Sequence, residues 1–335
     1  MREKIRVRCE LLKKNSKAIA NEFSFENTLM SVVAGMIFTG AEKEADVERL
    51  KECKKILAGH TGIFSRFRKH VDLVLESRMA LSEDPEKYIE AVVEAHDKVR
   101  KAKMKENDFT IIAAMLLCEL GKSDKIDEVM ERYNELMGRM EKDHPFLTNV
   151  TDSTYVMLLA GSERDIDSIM SDMEECIEYL KKTCKIKAGS DAVQGMGEVL
   201  ALAGGNIRNR CERVDKIYAL FKEKKAGFSG DWEFVTLGAM ADIDAEPETL
   251  VDQVLEASEI LKEDKQFADS KIDKSRRLMY AAMLVADCYR ENSVVDDNTY
   301  ISSTLGILKD QQTAAMISAM VQIIPGILEA VFSND

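Results

Sequence analysis

An apolar helical run followed by an amphipathic one recurs along this chain, and no other feature restricts its fold as tightly. The clearest copy spans 108–140. Residues Phe109 to Leu120 are apolar on almost every side, so a helix there has no face to give to water. A stop and candidate N-caps follow at Gly121-Lys122-Ser123-Asp124. Ile126, Val129, Met130, Tyr133, Leu136, Met137 and Met140 then recur at spacings of three and four. That spacing lines one face of a second helix, while Asp127, Glu128, Glu131, Arg132, Glu135 and Arg139 take the solvated face. A hairpin of this kind cannot bury its first helix alone; it needs neighbours stacked upon it.

The same plan predicts hairpins starting near residues 27, 70, 108, 152, 191, 231 and 275. Separations of roughly 38 to 44 residues lie inside the range of helix-pair repeats. Local chemistry marks the joints. Asp84 and Pro85 suit the cap and first position of a helix whose buried stripe is Ile89, Val92, Val93, His96 and Val99. Ser162-Glu163-Arg164-Asp165 has capping-box spacing before Ile166, Ile169, Met170, Met173, Ile177 and Leu180. Further turns fall at Gly204-Gly205-Asn206 and Glu246-Pro247. The expected fold is all-α, with helical hairpins stacked as an α-solenoid. Residues 1–26 form an N-terminal capping helix, 27–310 about seven hairpins in one array, and 311–335 an apolar C-terminal capping helix. A closed α/α toroid and two helical bundles use the same elements and stand as alternatives.

Composition agrees with helices: four prolines and 17 glycines in 335 residues, with 45% hydrophobic side chains. A formal charge of −13 disfavours nucleic acid, whose phosphates require local positive charge. The seven cysteines form no C-x-x-C pair and fall mostly in helical patterns, which fits buried thiols in a reducing compartment. The start, MREKIRVRCELLKKN, lacks the apolar core of a signal peptide, so a cytoplasmic location is expected. The C-terminal apolar stretch is interrupted by Gln322, Pro325, Gly326 and Glu329 and makes a poor transmembrane helix. It is expected to cap the last hairpin, with membrane-surface docking or self-association as other uses of an exposed apolar face.

Candidate chemistry is sparse. Arg66, Arg68 and His70 belong to a basic and aromatic island that can take an anion or an acidic partner segment, or simply neutralise nearby acids. His144, Thr148 and Asp152 flank Pro145 in a distinctive loop; Pro145 pushes His144 out of the helical region, and Asp152 is a candidate cap. Arg208 and Arg210 follow Gly204-Gly205-Asn206 at a helix start, where backbone amides can hold a phosphate or carboxylate. That motif lacks Walker or dinucleotide spacing, and Gly195-x-Gly197 lacks its third glycine. His96 lies on an apolar stripe and reads as a core histidine. Arg276 and Arg277 open a helix, an unfavourable place for cations, and are expected to pair with acids on the neighbouring hairpin. No metal-helix spacing, nucleophile elbow or Cys–His arrangement appears, so neither a metal nor a cofactor is implied.

Four short stretches carry a resemblance. They are Gly62-Ile63-Phe64-Ser65 with His70, then His144 to Thr148, then Tyr155 to Ala160, then Gln311 to Ile317. In this order they resemble the bacterial domain-of-unknown-function family 4003. The likeness implies a cytosolic helical protein with no established activity, and it supplies no catalytic residues. The functional expectation is therefore a scaffold that binds a protein or peptide rather than an enzyme. The alternative is a small-ligand sensor or enzyme with a site at a hairpin junction near His144 and Asp152.

Overall fold

The computed structural model describes residues 1–290 apart from 24–27, 63–64, 70, 103, 105–107, 146–147, 149–151, 163, 183–188, 203–204 and 229–231. His70 and the expected C-terminal cap at 311–335 lie outside the described residues. Among the described residues the fold is all-helical. Fourteen α-helices run in order: α1 Arg2–Glu22, α2 Thr28–Gly40, α3 Val47–His60, α4 Asp72–Leu81, α5 Pro85–Lys101, α6 Asp108–Glu119 and α7 Ile126–Asp143. They continue with α8 Ser153–Gly161, α9 Ile166–Lys182, α10 Ser190–Ala201, α11 Ile207–Glu223, α12 Trp232–Val235, α13 Pro247–Lys262 and α14 Lys274–Arg290. Short 3-10 turns occupy Arg66–Arg68 and Thr236–Met240.

First and second helices differ as their sequences require. Every residue of α8, a first helix, is buried. On α7, a second helix, burial is confined to Ile126, Val129, Met130, Tyr133, Leu136 and Met140. Caps explain several boundaries. Asp84 accepts from the Lys87 amide at 3.2 Å and Pro85 takes the first turn of α5. Gly121 ends its hairpin's first helix at φ 67°, a left-handed geometry that glycine adopts without strain. Two expected caps differ. No side chain caps α7, so Ser123 and Asp124 do not serve there. Asp165, not Ser162, accepts from the Ser168 amide at the start of α9, while Ser162 ends α8.

The described chain divides into two compact units. One comprises Met1–Lys13 with the described residues from Arg164 onward; the other comprises the described residues of Lys14–Glu163. In the second of these, α2 packs on α4 and α6 on α8, while α3 packs on α5 and α5 on α7. In the other, α10 packs on α12, α12 on α14, α9 on α11 and α11 on α13. First helices thus meet first helices, and second meet second.

One contact recurs at these junctions. Arg49 of α3 donates from Nε to the Ala80 carbonyl at 2.9 Å and from Nη2 to the Ser82 carbonyl at 3.1 Å. Arg132 of α7 repeats the fork on Ala160 at 2.9 Å and Ser162 at 3.3 Å. Both serines close their helices alike, the hydroxyls donating to Met79 and Leu159 at 2.7 and 2.6 Å. In the other unit, Arg213 donates to the carbonyls of Met240, Ile243 and Ala245, and Arg164 donates to Ala201. The last carbonyls of a helix have no partner within it and carry partial negative charge, so a guanidinium satisfies both needs. Arg49 and Arg132 thus join a second helix to the end of the following hairpin's first helix. Arg213 does so to the 3-10 turn and connector after α12, and Arg164 reaches α10 from the connector before α9.

Burial also sets the thiol chemistry. It pushes Cys9 up to about 12 and Cys53 up to about 11 from an ordinary 9.0. At pH 8 the thiolate fraction falls about 1000-fold and about 100-fold respectively. Both should resist an aromatic disulfide reagent until the chain unfolds, whereas half-exposed Cys118 should react before either. Rapid labelling of Cys9 in the folded protein would contradict this packing. The folded state also keeps protons that the unfolded chain loses above pH 9. Stability therefore falls as pH rises from 9 through about 11 and 12.

Candidate functional site

Among the described residues, cationic side chains gather at a recess of about 410 Å³ within the unit that starts at Lys14. Three segments build it. The end of α3 contributes His60 and Thr61, the 3-10 turn contributes Arg66, Phe67 and Lys69, and α5 contributes Val93, His96, Asp97 and Arg100. Ser65 starts the turn: its amide donates to the Gly62 carbonyl at 2.9 Å, and its hydroxyl accepts from the Phe67 amide at 3.4 Å. Phe67 is 5% exposed and meets the His96 ring edge-on, centroids 4.8 Å apart. One buried aromatic thus anchors the turn, and Arg66 and Lys69 remain exposed around it.

The charges are unbalanced. Among the described residues of the lining, Arg66, Lys69 and Arg100 face one carboxylate, Asp97. Asp97 lies 3.9 Å from Arg100, and both are largely exposed, so the pair contributes little. Among the described residues Arg66 and Lys69 have no carboxylate partner. Two features oppose an anion. Glu90 stands 4.0 Å from the His60 ring, and the C-terminus of α3 presents its negative dipole end, an effect of about 0.3–1 kcal/mol. Thr61 Oγ1 donates to the Leu57 carbonyl at 2.6 Å and covers part of that end. Charge-assisted hydrogen bonds of about 1.5–3 kcal/mol each outweigh the dipole.

The other sequence-predicted residues do not gather here. Arg68 is exposed on the same turn but is not part of the lining. His144 leaves α7 at φ −133° and ψ 61°, out of the helical region that Pro145 disfavours, and its carbonyl accepts from the Thr148 amide at 3.1 Å and hydroxyl at 3.2 Å. Asp152 is 1% exposed at the start of α8 without capping it. Beside it, Ser153 hydrogen-bonds the Tyr133 hydroxyl, whose pKa burial raises. Asn206 caps α11 through the Asn209 amide at 3.1 Å. Arg208 stacks 4.1 Å over the Tyr179 ring and pairs with Glu212 at 3.0 Å, while Arg210 grips Asp242 with contacts of 2.7 and 2.9 Å. Both arginines at that helix start therefore already answer a carboxylate.

Recesses of about 530 and 380 Å³ adjoin Arg49 and Arg213, but their linings are mixed in charge. Lys43 and Arg49 face Glu44, Asp46 and Glu83 in the first; Arg210 and Arg213 face Asp242 in the second. Sequence reading found the Arg66 island but missed His60 and Arg100. Arg100 stands four residues after His96 on α5, a spacing that puts both on one helical face.

Among the described residues no three His, Cys, Asp or Glu side chains group to hold a metal ion, and no helix is long and apolar enough to cross a membrane. The model of a family described as "Protein of unknown function (DUF4003)" matches residues 15–322. The chain belongs to DUF4003. That match includes every residue of the recess lining, so the site lies within the family's shared region. No curated protein and no solved structure matches the chain.

Proposed function

We propose that this DUF4003 member is a non-catalytic binding protein. Its helical hairpins stack as an α-solenoid within each unit and hold a protein or peptide partner, with the recess at α3 and α5 taking an acidic group of that partner. The recurring arginine forks support the stacking, since each fastens one hairpin to the next in the same way. One observation carries the binding role: among the described lining residues stand three permanent cations and one carboxylate, and Arg66 and Lys69 have no carboxylate partner among the described residues, on a chain of net charge −13. Like charges held together are relieved when an anion arrives. At physiological salt the screening length is about 8 Å, so a bound group senses the lining more than distant surface carboxylates. The free thiols of the described cysteines support action in a reducing compartment such as the cytoplasm.

Fluorescence anisotropy with a labelled glutamate-rich peptide tests this reading. The full chain should bind it, and a double charge reversal, Arg66→Glu with Arg100→Glu, should weaken binding by more than about tenfold. Equal affinity in that variant would remove the recess from the proposal.

A further inference from the structure

The lining of the recess is more specific than a generic acidic group requires. We infer that it binds a phosphate monoester, carried by a partner protein or by a small molecule. This rests on the reading of the recess as an acidic-group site. The first argument is direction. Side chains able to donate line it from three backbone segments: His60 from α3, Arg66 and Lys69 from the 3-10 turn and its cap, His96 and Arg100 from α5. A planar carboxylate is answered by one guanidinium fork, whereas a tetrahedral phosphoryl group offers three terminal oxygens to donors around it.

The second argument is charge. With Arg100 set against Asp97, Arg66 and Lys69 leave the described lining a formal +2 without counting either histidine. A phosphate monoester carries about −1.5 to −2 at neutral pH and matches that balance, while a carboxylate neutralises half of it. The third is room. At about 30 Å³ per water, a recess of about 410 Å³ holds more than ten water volumes, enough for the phosphoryl group and part of its carrier. The opposing groups, Asp97 and Glu90, both sit on α5 and each lies near a cation or histidine of the lining.

Calorimetric titration of the full chain separates the outcomes. Three probes are used: a phosphoserine peptide, the same peptide with glutamate at that position, and inorganic phosphate. The phosphoserine peptide or inorganic phosphate should bind at least about tenfold more tightly than the glutamate peptide. Arg66→Gln and Arg100→Gln should each lower that affinity about tenfold, while Lys265→Gln, exposed elsewhere, leaves it unchanged. Both substitutions remove exposed side chains, and unchanged circular dichroism would verify the fold. Binding of the phosphopeptide without competition from phosphate identifies a protein source; binding of phosphate alone identifies a small ester. Equal affinity for phosphoserine and glutamate peptides overturns the phosphoryl inference but leaves the acidic-partner reading standing. Failure of all three probes to bind overturns both.

Discussion

Replacing Gly35 by valine should lower the unfolding free energy by about 3–5 kcal/mol. A Cβ at Gly35 would lie 2.4 Å from Ser16 Oγ, 3.0 Å from the Ser16 amide nitrogen and 3.2 Å from its Cα. The hardest contact is with the Ser16 hydroxyl, and the Ser16 backbone just behind it leaves no room for valine's two further methyl groups, so the α1 and α2 axes must move apart. Separation breaks a buried network at the same crossing. Asn15, 1% exposed, donates to Thr39 Oγ1 at 3.2 Å and to the Lys43 carbonyl at 3.0 Å, and accepts from the Ala45 amide at 2.8 Å. Overpacking of this kind costs about 1–3 kcal/mol, and stranding a buried amide adds about 1–3 more. Gly138 supplies the control. A Cβ there meets nothing within 4 Å, so Gly138→Ala should stabilise α7 by about 0.5–1 kcal/mol. Urea denaturation of both variants is the measurement, and a Gly35→Val midpoint equal to that of the natural chain would refute the close crossing.

Much of the helix plan was legible because its signal is local. First helices begin at Thr28, Asp72, Asp108, Ser153, Ser190, Trp232 and Lys274, each within two residues of the start that periodicity predicts. Asp84-Pro85 and the left-handed Gly121 announce their own geometry. His96 was readable as a core residue from its place on an apolar stripe, and it is 5% exposed. The sixth hairpin was less readable. Its first helix gives way after Val235 to a 3-10 turn that brings the Gly238 backbone close against Val199, a contact distant in sequence.

The junctions were illegible for a related reason. Arg132 sits among acids on a charged face and reads as solvated, yet its guanidinium forks onto carbonyls about one hairpin further along. Periodicity says which residues share a face; it does not say which carbonyls that face will meet. The recess followed the same rule. Its turn was visible as a basic island, but His60 and Arg100 belong to it only through folding. Val93, counted with the buried stripe, is half-exposed and lines the recess. Arg276 and Arg277 were expected to reach a neighbouring hairpin. They pair instead with Asp273 and Asp269 in the connector that leads into their own helix.

Arg277 leads to the second large effect. It is fully buried, and only Nη1 is engaged among the described residues. That nitrogen donates to the Phe267 carbonyl at 2.9 Å, to Asp269 Oδ1 at 2.7 Å and, more weakly, to the Ile272 carbonyl at 3.4 Å. One atom therefore ties down the connector between α13 and α14 and holds the Asp269 carboxyl below its usual pKa. Arg277→Ala should cost about 3–5 kcal/mol, because it opens a cavity in the core and leaves connector carbonyls without their donor. The charge balance predicts an asymmetry among substitutions. Lysine also offers one multiply donating nitrogen and carries no second or third buried donor, so Arg277→Lys should recover most of the loss. Methionine fills the volume but donates nothing; Arg277→Met should remain about 2–3 kcal/mol below the natural chain. Unfolding curves for the three variants decide between packing and hydrogen bonding. If methionine matches lysine, volume alone holds this connector and the assigned role of Nη1 is wrong.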